Sequence, residues 1–91
     1  MARAETSQVR SCQARAENGA PEALFDLGLL YSTGRGVPLD LVAAHKWFNL
    51  AALKGNLEAR QARAELAAQM TAQQVAQAQR LAREWQATHR H

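Results

Sequence analysis

Residues 23–55 read Ala23-x3-Leu27-Gly28-x2-Tyr31-x2-Gly34-x-Gly36-Val37-x2-Asp40-x3-Ala44-x2-Trp47-x3-Ala51-Ala52-x2-Gly55. Apolar residues recur at three- and four-residue spacing on both sides of the paired glycines: Ala20, Ala23, Leu24, Leu27 and Tyr31 before them, Ala44, Trp47, Phe48, Ala51 and Ala52 after. That period belongs to amphipathic helices. Between them, Thr33-Gly34-Arg35-Gly36-Val37-Pro38-Leu39 is too rich in breakers to continue either helix. Pro21 suits a first helical position, with Glu22 at the positive end of that helix, which is expected to reach about Ser32. Asp40 is expected to cap the next helix, and Gly55 to end it after Lys54.

Outward from this unit, a helix from about Thr6 to Asn18 stops at Gly19, and an Ala-rich helix runs from about Leu57 to Gln69. Thr71 with Gln74 three residues on is a capping-box signature. It starts a last helix reaching about Ala87, with Val75, Ala78, Ala82 and Trp85 as its buried stripe. A repeat with a period of 36 residues links these pieces: Gly19-x-x-Glu22-Ala23 recurs as Gly55-x-x-Glu58-Ala59, and Ala16 corresponds to Ala52. The match decays beyond Ala59, as expected at the end of a solenoid, where the outer face meets water.

Composition supports an all-helical reading. Hydrophobic residues are 47% of the 91 and Ala dominates them, whereas strand-type runs of Val, Ile and Thr are missing. The fold expected is therefore all-α, a short α/α solenoid of antiparallel helix pairs with about five helices. A net charge of +3 invites a nucleic-acid reading. However, eleven cationic residues are spread from Arg3 to Arg90 with eight acids interleaved, as on solvated helix faces, so no specific nucleic-acid binding is expected. Cys12 stands alone, which permits no internal disulfide. The first twenty residues contain no signal-type apolar core, and no run is long enough to span a membrane. The expected location is the cytoplasm.

The quoted spacing resembles the Sel-one-like repeat (SLR), a relative of the tetratricopeptide repeat found in adaptor proteins. The resemblance is strong over residues 20–55 and weak over 5–19 and 56–70. It implies one helical domain over 1–91: a partial repeat at 5–19, the full repeat at 20–55, a degenerate one at 56–70 and a capping helix at 71–88. Ala43 and Leu50 stand where the family often has Lys, at positions expected on the surface or its boundary. The resemblance also implies a concave surface formed by the first helix of each pair. Glu22, Asp26 and Leu29 lie off the buried stripe and are its candidates.

Residues that suggest chemistry have plainer explanations. Gly34-Arg35-Gly36 lacks both the third glycine and the preceding strand of a dinucleotide loop. Glu22 and Asp26, one turn apart, could divide acid and base roles, but solvated carboxylates on a helix face are the commoner case. Cys12 falls at the position equivalent to Phe48, which predicts a buried, inert thiol, and His45 is expected at the helix surface. His89-x-His91 lies at a terminus without further ligands. No catalytic residue, metal or cofactor is assigned.

Two roles follow: an interaction module for a protein or peptide partner, or a structural cap or docking segment of a larger solenoid. The degenerate ends favour the second, whereas Met1 and the capped last helix favour a complete small protein. Val9, Cys12 and Ala16 are small cover for the stripe of Ala20, Leu24, Leu27 and Tyr31. The N-terminal face is thus expected to be the adhesive one, with a weak two-fold homodimer as its outcome.

Overall fold

A computed structural model describes residues 2–89, with side chains from residue 7 onward. Five helices follow one another: α1 (Ala2–Glu17), α2 (Pro21–Thr33), α3 (Leu41–Leu53), α4 (Leu57–Ala67) and α5 (Ala72–Thr88), with no strand among the described residues. Short connections return α2, α3 and α4 each against its predecessor. The last helix, α5, packs chiefly on α3. Helix α3 is thereby central, with α2, α4 and α5 around it.

The 36-residue period is written in the backbone. After α1, Gly19 N–H donates to Ala16 O and Ala20 N–H to Arg15 O; after α3, Gly55 N–H donates to Ala52 O and Asn56 N–H to Ala51 O. Both glycines have positive φ, 83° and 95°, which lets these crossed bonds satisfy the last carbonyls. The next helices start alike in backbone but not in side chain. Ala20 offers α2 no side-chain cap, whereas Asn56 Oδ1 accepts from Ala59 N–H at 2.8 Å. Asp40 caps α3 through Ala43 N–H, and Thr71 and Gln74 form the reciprocal capping box that starts α5. That box restarts the chain early, so α4 ends at Ala67 rather than Gln69 with no glycine to stop it.

Two clusters form the core. The larger joins Val9, Cys12 and Ala16 of α1 to Leu24 and Leu27 of α2, Trp47 and Leu50 of α3, and Ala82 and Trp85 of α5. The smaller gathers Ala44, Phe48 and Leu66 between α2, α3 and α4, with Phe25 and Tyr31 packed against it. Phe48 reaches α2 because residue 28 has no side chain: a Cβ there would lie 2.9 Å from Phe48 Cγ and closer still to Cδ1 and Cε1. The α2–α3 loop is latched by Asp40 N–H donating to Tyr31 O at 3.0 Å. On the far side, Trp85 meets Trp47 edge-on, with centroids 5.9 Å apart at 80°.

Four expectations change. Leu50, expected near the surface, is 2% exposed, and His45, expected outside, is also 2% exposed. Both have the same cause: the central helix is covered on three sides, so positions off its main stripe are buried too. Leu30 joins the buried stripe of α2, while Val75 of α5 is only half-buried. The N-terminal side of the core is better covered than expected. Small side chains let α1 approach closely, so Val9 and Cys12 are buried and Leu24 and Leu27 fully covered, while Arg10, Ser11, Gln13 and Arg15 face outward. Among the described residues the large apolar side chains left exposed are Leu29, Leu39, Leu53 and Leu57, none of them on α1.

Candidate functional site

With Ala23, Leu24, Leu27 and Leu30 turned inward, α2 presents Glu22, Asp26 and Leu29 on its outer side. They do not share one hollow. Leu29, 42% exposed, forms a wall of a groove of about 280 Å³ between α2 and α4. Phe48, Leu66 and Leu41 floor this groove, Ala62 forms the facing wall, and Ser32, Glu65 and Gln69 stand at its edges. Glu22 lines a shallow hollow further along the same seam, opposite Glu58 and beside Lys54. Asp26 leans the other way, towards α1, in a hollow shared with Gln8, Leu30, Thr33 and Arg35. Leu29 also borders that hollow and so is the ridge between the two.

The α4 wall escaped the reading of the sequence, although a signal for it was present. Glu58, Ala62 and Glu65 are Glu22, Asp26 and Leu29 moved on by one period of 36. The groove is therefore one helix face set beside its own repeat. The substitutions between copies give it its character, since Ala62 opens space where Asp26 stands in the first copy and Glu65 puts charge opposite Leu29.

The polar groups elsewhere hold structure. Burial pushes the Cys12 thiol up, and Asp26 adds to the rise, partly opposed by Arg15; a thiol held protonated is a poor nucleophile. His45 Nδ1 has no hydrogen-bond partner, so no Cys12–His45 dyad operates through that atom. Burial, with the nearby Arg63 guanidinium, pushes His45 below its ordinary range. Arg63 itself donates to Asn49 Oδ1, tying α4 to α3. Lys46 lies 4.2 Å from the Trp47 ring centroid, and burial lowers it as well.

His89 stacks on Trp85 with centroids 4.1 Å apart, and its Nδ1 lies 3.0 Å from Trp85 O. His91, its partner in the sequence motif, lies outside the described residues. Gly34 ends α2 in the left-handed region at φ 70°, its N–H donating to Leu30 O. Among the described residues no three of His, Cys, Asp and Glu gather as metal ligands, and no helix is long and apolar enough to cross a membrane.

Comparison with known proteins agrees with this geometry. Residues 21–56 match the family model of the Sel1 repeat, so the unit formed by α2, its loop and α3 is a Sel1 repeat. No curated protein matches the chain.

Proposed function

We propose that this Sel1-repeat chain is a protein–protein interaction module, an adaptor or scaffold without catalytic activity, which holds a protein or peptide partner along the seam of α2 and α4. Sel1 repeats as a class mediate protein–protein contact. The observation that carries the proposal here is the groove itself: an apolar floor of Phe48, Leu41 and Leu66, reachable between two repeat-related helix faces. At about 280 Å³ it falls at the lower edge of the ~300–1,000 Å³ typical of small-molecule sites, a size suited to a partner's side chain.

Residues 20–55 act in this scheme as the complete repeat, 5–19 and 56–70 as partial ones, and 71–88 as the cap, in a cytoplasmic protein. Glu22 and Leu29 belong to the binding face, joined by Glu58, Ala62 and Glu65; Asp26 forms its outer shoulder. A docking role within a larger assembly has one observation in its favour. Leu53, 59% exposed at the end of α3, lines neither the groove nor the Glu22–Glu58 hollow.

Photo-crosslinking in source cells separates the two. A crosslinker replacing Leu29 should give discrete protein adducts, and one replacing Ala76 on the outer side of α5 should not. Adducts only from a crosslinker at Leu53 would support the docking role instead, and none from any position would contradict both.

A further inference from the structure

The seam has a charge that the rest of the molecule does not. The chain carries eleven Lys and Arg against eight acids. Yet the seam hollows are lined by Glu22, Glu58 and Glu65, with Lys54 the one base, at the far end. Among the described residues none of the three glutamates is in an ion pair. Two of them occupy the same place in successive repeats, so their charges add along one line rather than scatter. Glu65 borders the apolar floor, where Leu29 at the edge already leaves apolar surface in water, and Glu22 and Glu58 line the neighbouring hollow.

Resting on the interaction role proposed above, we infer that the α2/α4 seam receives a basic amphipathic protein segment. One medium-sized apolar side chain enters the Leu29–Phe48–Ala62 groove, and flanking Lys or Arg side chains reach Glu65 on one side and Glu22 and Glu58 on the other. A long aliphatic side chain fits a floor made of a ring and two leucines without needing a polar partner. The carboxylates supply steering and orientation, the part that charge plays best at an interface rim.

A second copy of the chain answers these requirements poorly. The basic outer side of α5 offers Arg80 and Arg83, but the residues lining its shallow hollow are otherwise Gln73, Ala76 and Gln77. No large apolar side chain is exposed on that helix to serve as the anchor.

Selection from a random peptide library displayed on phage tests this with the intact chain as bait. The expected winners carry Lys or Arg on both sides of a Leu, Ile or Met. Their affinity should fall steeply with added salt and by at least about tenfold in a Glu22→Lys, Glu58→Lys, Glu65→Lys variant. Ala62→Trp, which fills the groove while leaving every charge in place, should abolish binding of the same peptides. Circular dichroism checks that both variants keep their helices, and the salt series on the unaltered chain stands without them. Acidic or neutral winners that still lose binding in Ala62→Trp would overturn the inference while leaving the interaction role intact. Winners indifferent to Ala62→Trp, or none at all, would overturn both. Self-association that is lost in the same variants would overturn the separate partner in favour of a second copy.

Discussion

The Phe48 ring occupies the space in which a side chain on residue 28 would begin. This sets how closely α2 and α3 cross, and the consequence reaches the surface, because Phe48 is also the floor of the groove. Its position is fixed further by Phe25, whose ring is tilted 43° at a centroid distance of 5.6 Å. The proposed binding face thus depends on a helix crossing made inside the repeat.

Gly28→Ala should therefore destabilise, although Ala in a helix ordinarily gains about 1 kcal/mol over Gly. Phe48 is 2% exposed and cannot swing into water, so the net loss should be about 1–2 kcal/mol, and Gly28→Leu should lose about 3 kcal/mol or more. Urea denaturation measures both. Pairing Gly28→Ala with Phe48→Leu should recover part of the loss, and a strictly additive pair would show that the ring is not the obstacle.

His45 makes stability depend on pH. In the folded chain burial and Arg63 hold it below 6.5, the value it takes when free. Above 6.5 both folded and unfolded forms leave it neutral and it contributes no slope. As pH falls below 6.5 the unfolded chain takes up the proton first, so stability drops until the folded value is passed. Between pH 6.5 and about 5, before most carboxylates titrate, the unfolding free energy should fall with a slope of up to about 1.4 kcal/mol per unit. His45→Leu should remove that slope. It should also gain about 1 kcal/mol at neutral pH by deleting the unpartnered Nδ1.

The equivalence of Ala20 and Asn56 gives a paired test of the caps. Asn56→Ala should cost about 1 kcal/mol by stripping the bond to Ala59 N–H. Ala20→Ser, at the uncapped start of α2, should gain roughly 0.5 kcal/mol. Thermal unfolding of the two variants should move in opposite directions.

Removing Trp85 should release α5 from the repeat. The ring is 9% exposed, edge-on to Trp47 and stacked on His89. Trp85→Ala should cost about 3–5 kcal/mol. Amide exchange should then speed up over residues 72–88 well before it does over α2.

Much of this architecture is legible from spacing alone. Proline, glycine and Asp40 punctuate α2 and α3 because helix termini need specific chemistry, and the capping box of Thr71 and Gln74 marks α5 for the same reason. Equivalence to Phe48 across the 36-residue period places Cys12 inside, and it is buried. His45 and Leu50 were not readable, since periodicity identifies one buried stripe and cannot tell that a helix is surrounded on three sides. Of the candidate residues, Glu22 and Leu29 sit on the seam and Asp26 on its shoulder. On the facing side, Glu58 falls within the matched Gly55–Ala59 stretch, whereas Ala62 and Glu65 lie where the second copy has drifted in sequence.

The most direct test of the central claim is a nuclear magnetic resonance titration of the isotope-labelled chain with a peptide recovered by selection. Amide shifts should move for Leu29, Ser32, Ala62, Glu65 and Gln69, with smaller changes near Glu22 and Glu58, while Gln73, Ala76 and Gln77 on the outer side of α5 stay fixed. Shifts confined to α5, or to the end of α3 about Leu53, would contradict a partner-binding seam between α2 and α4.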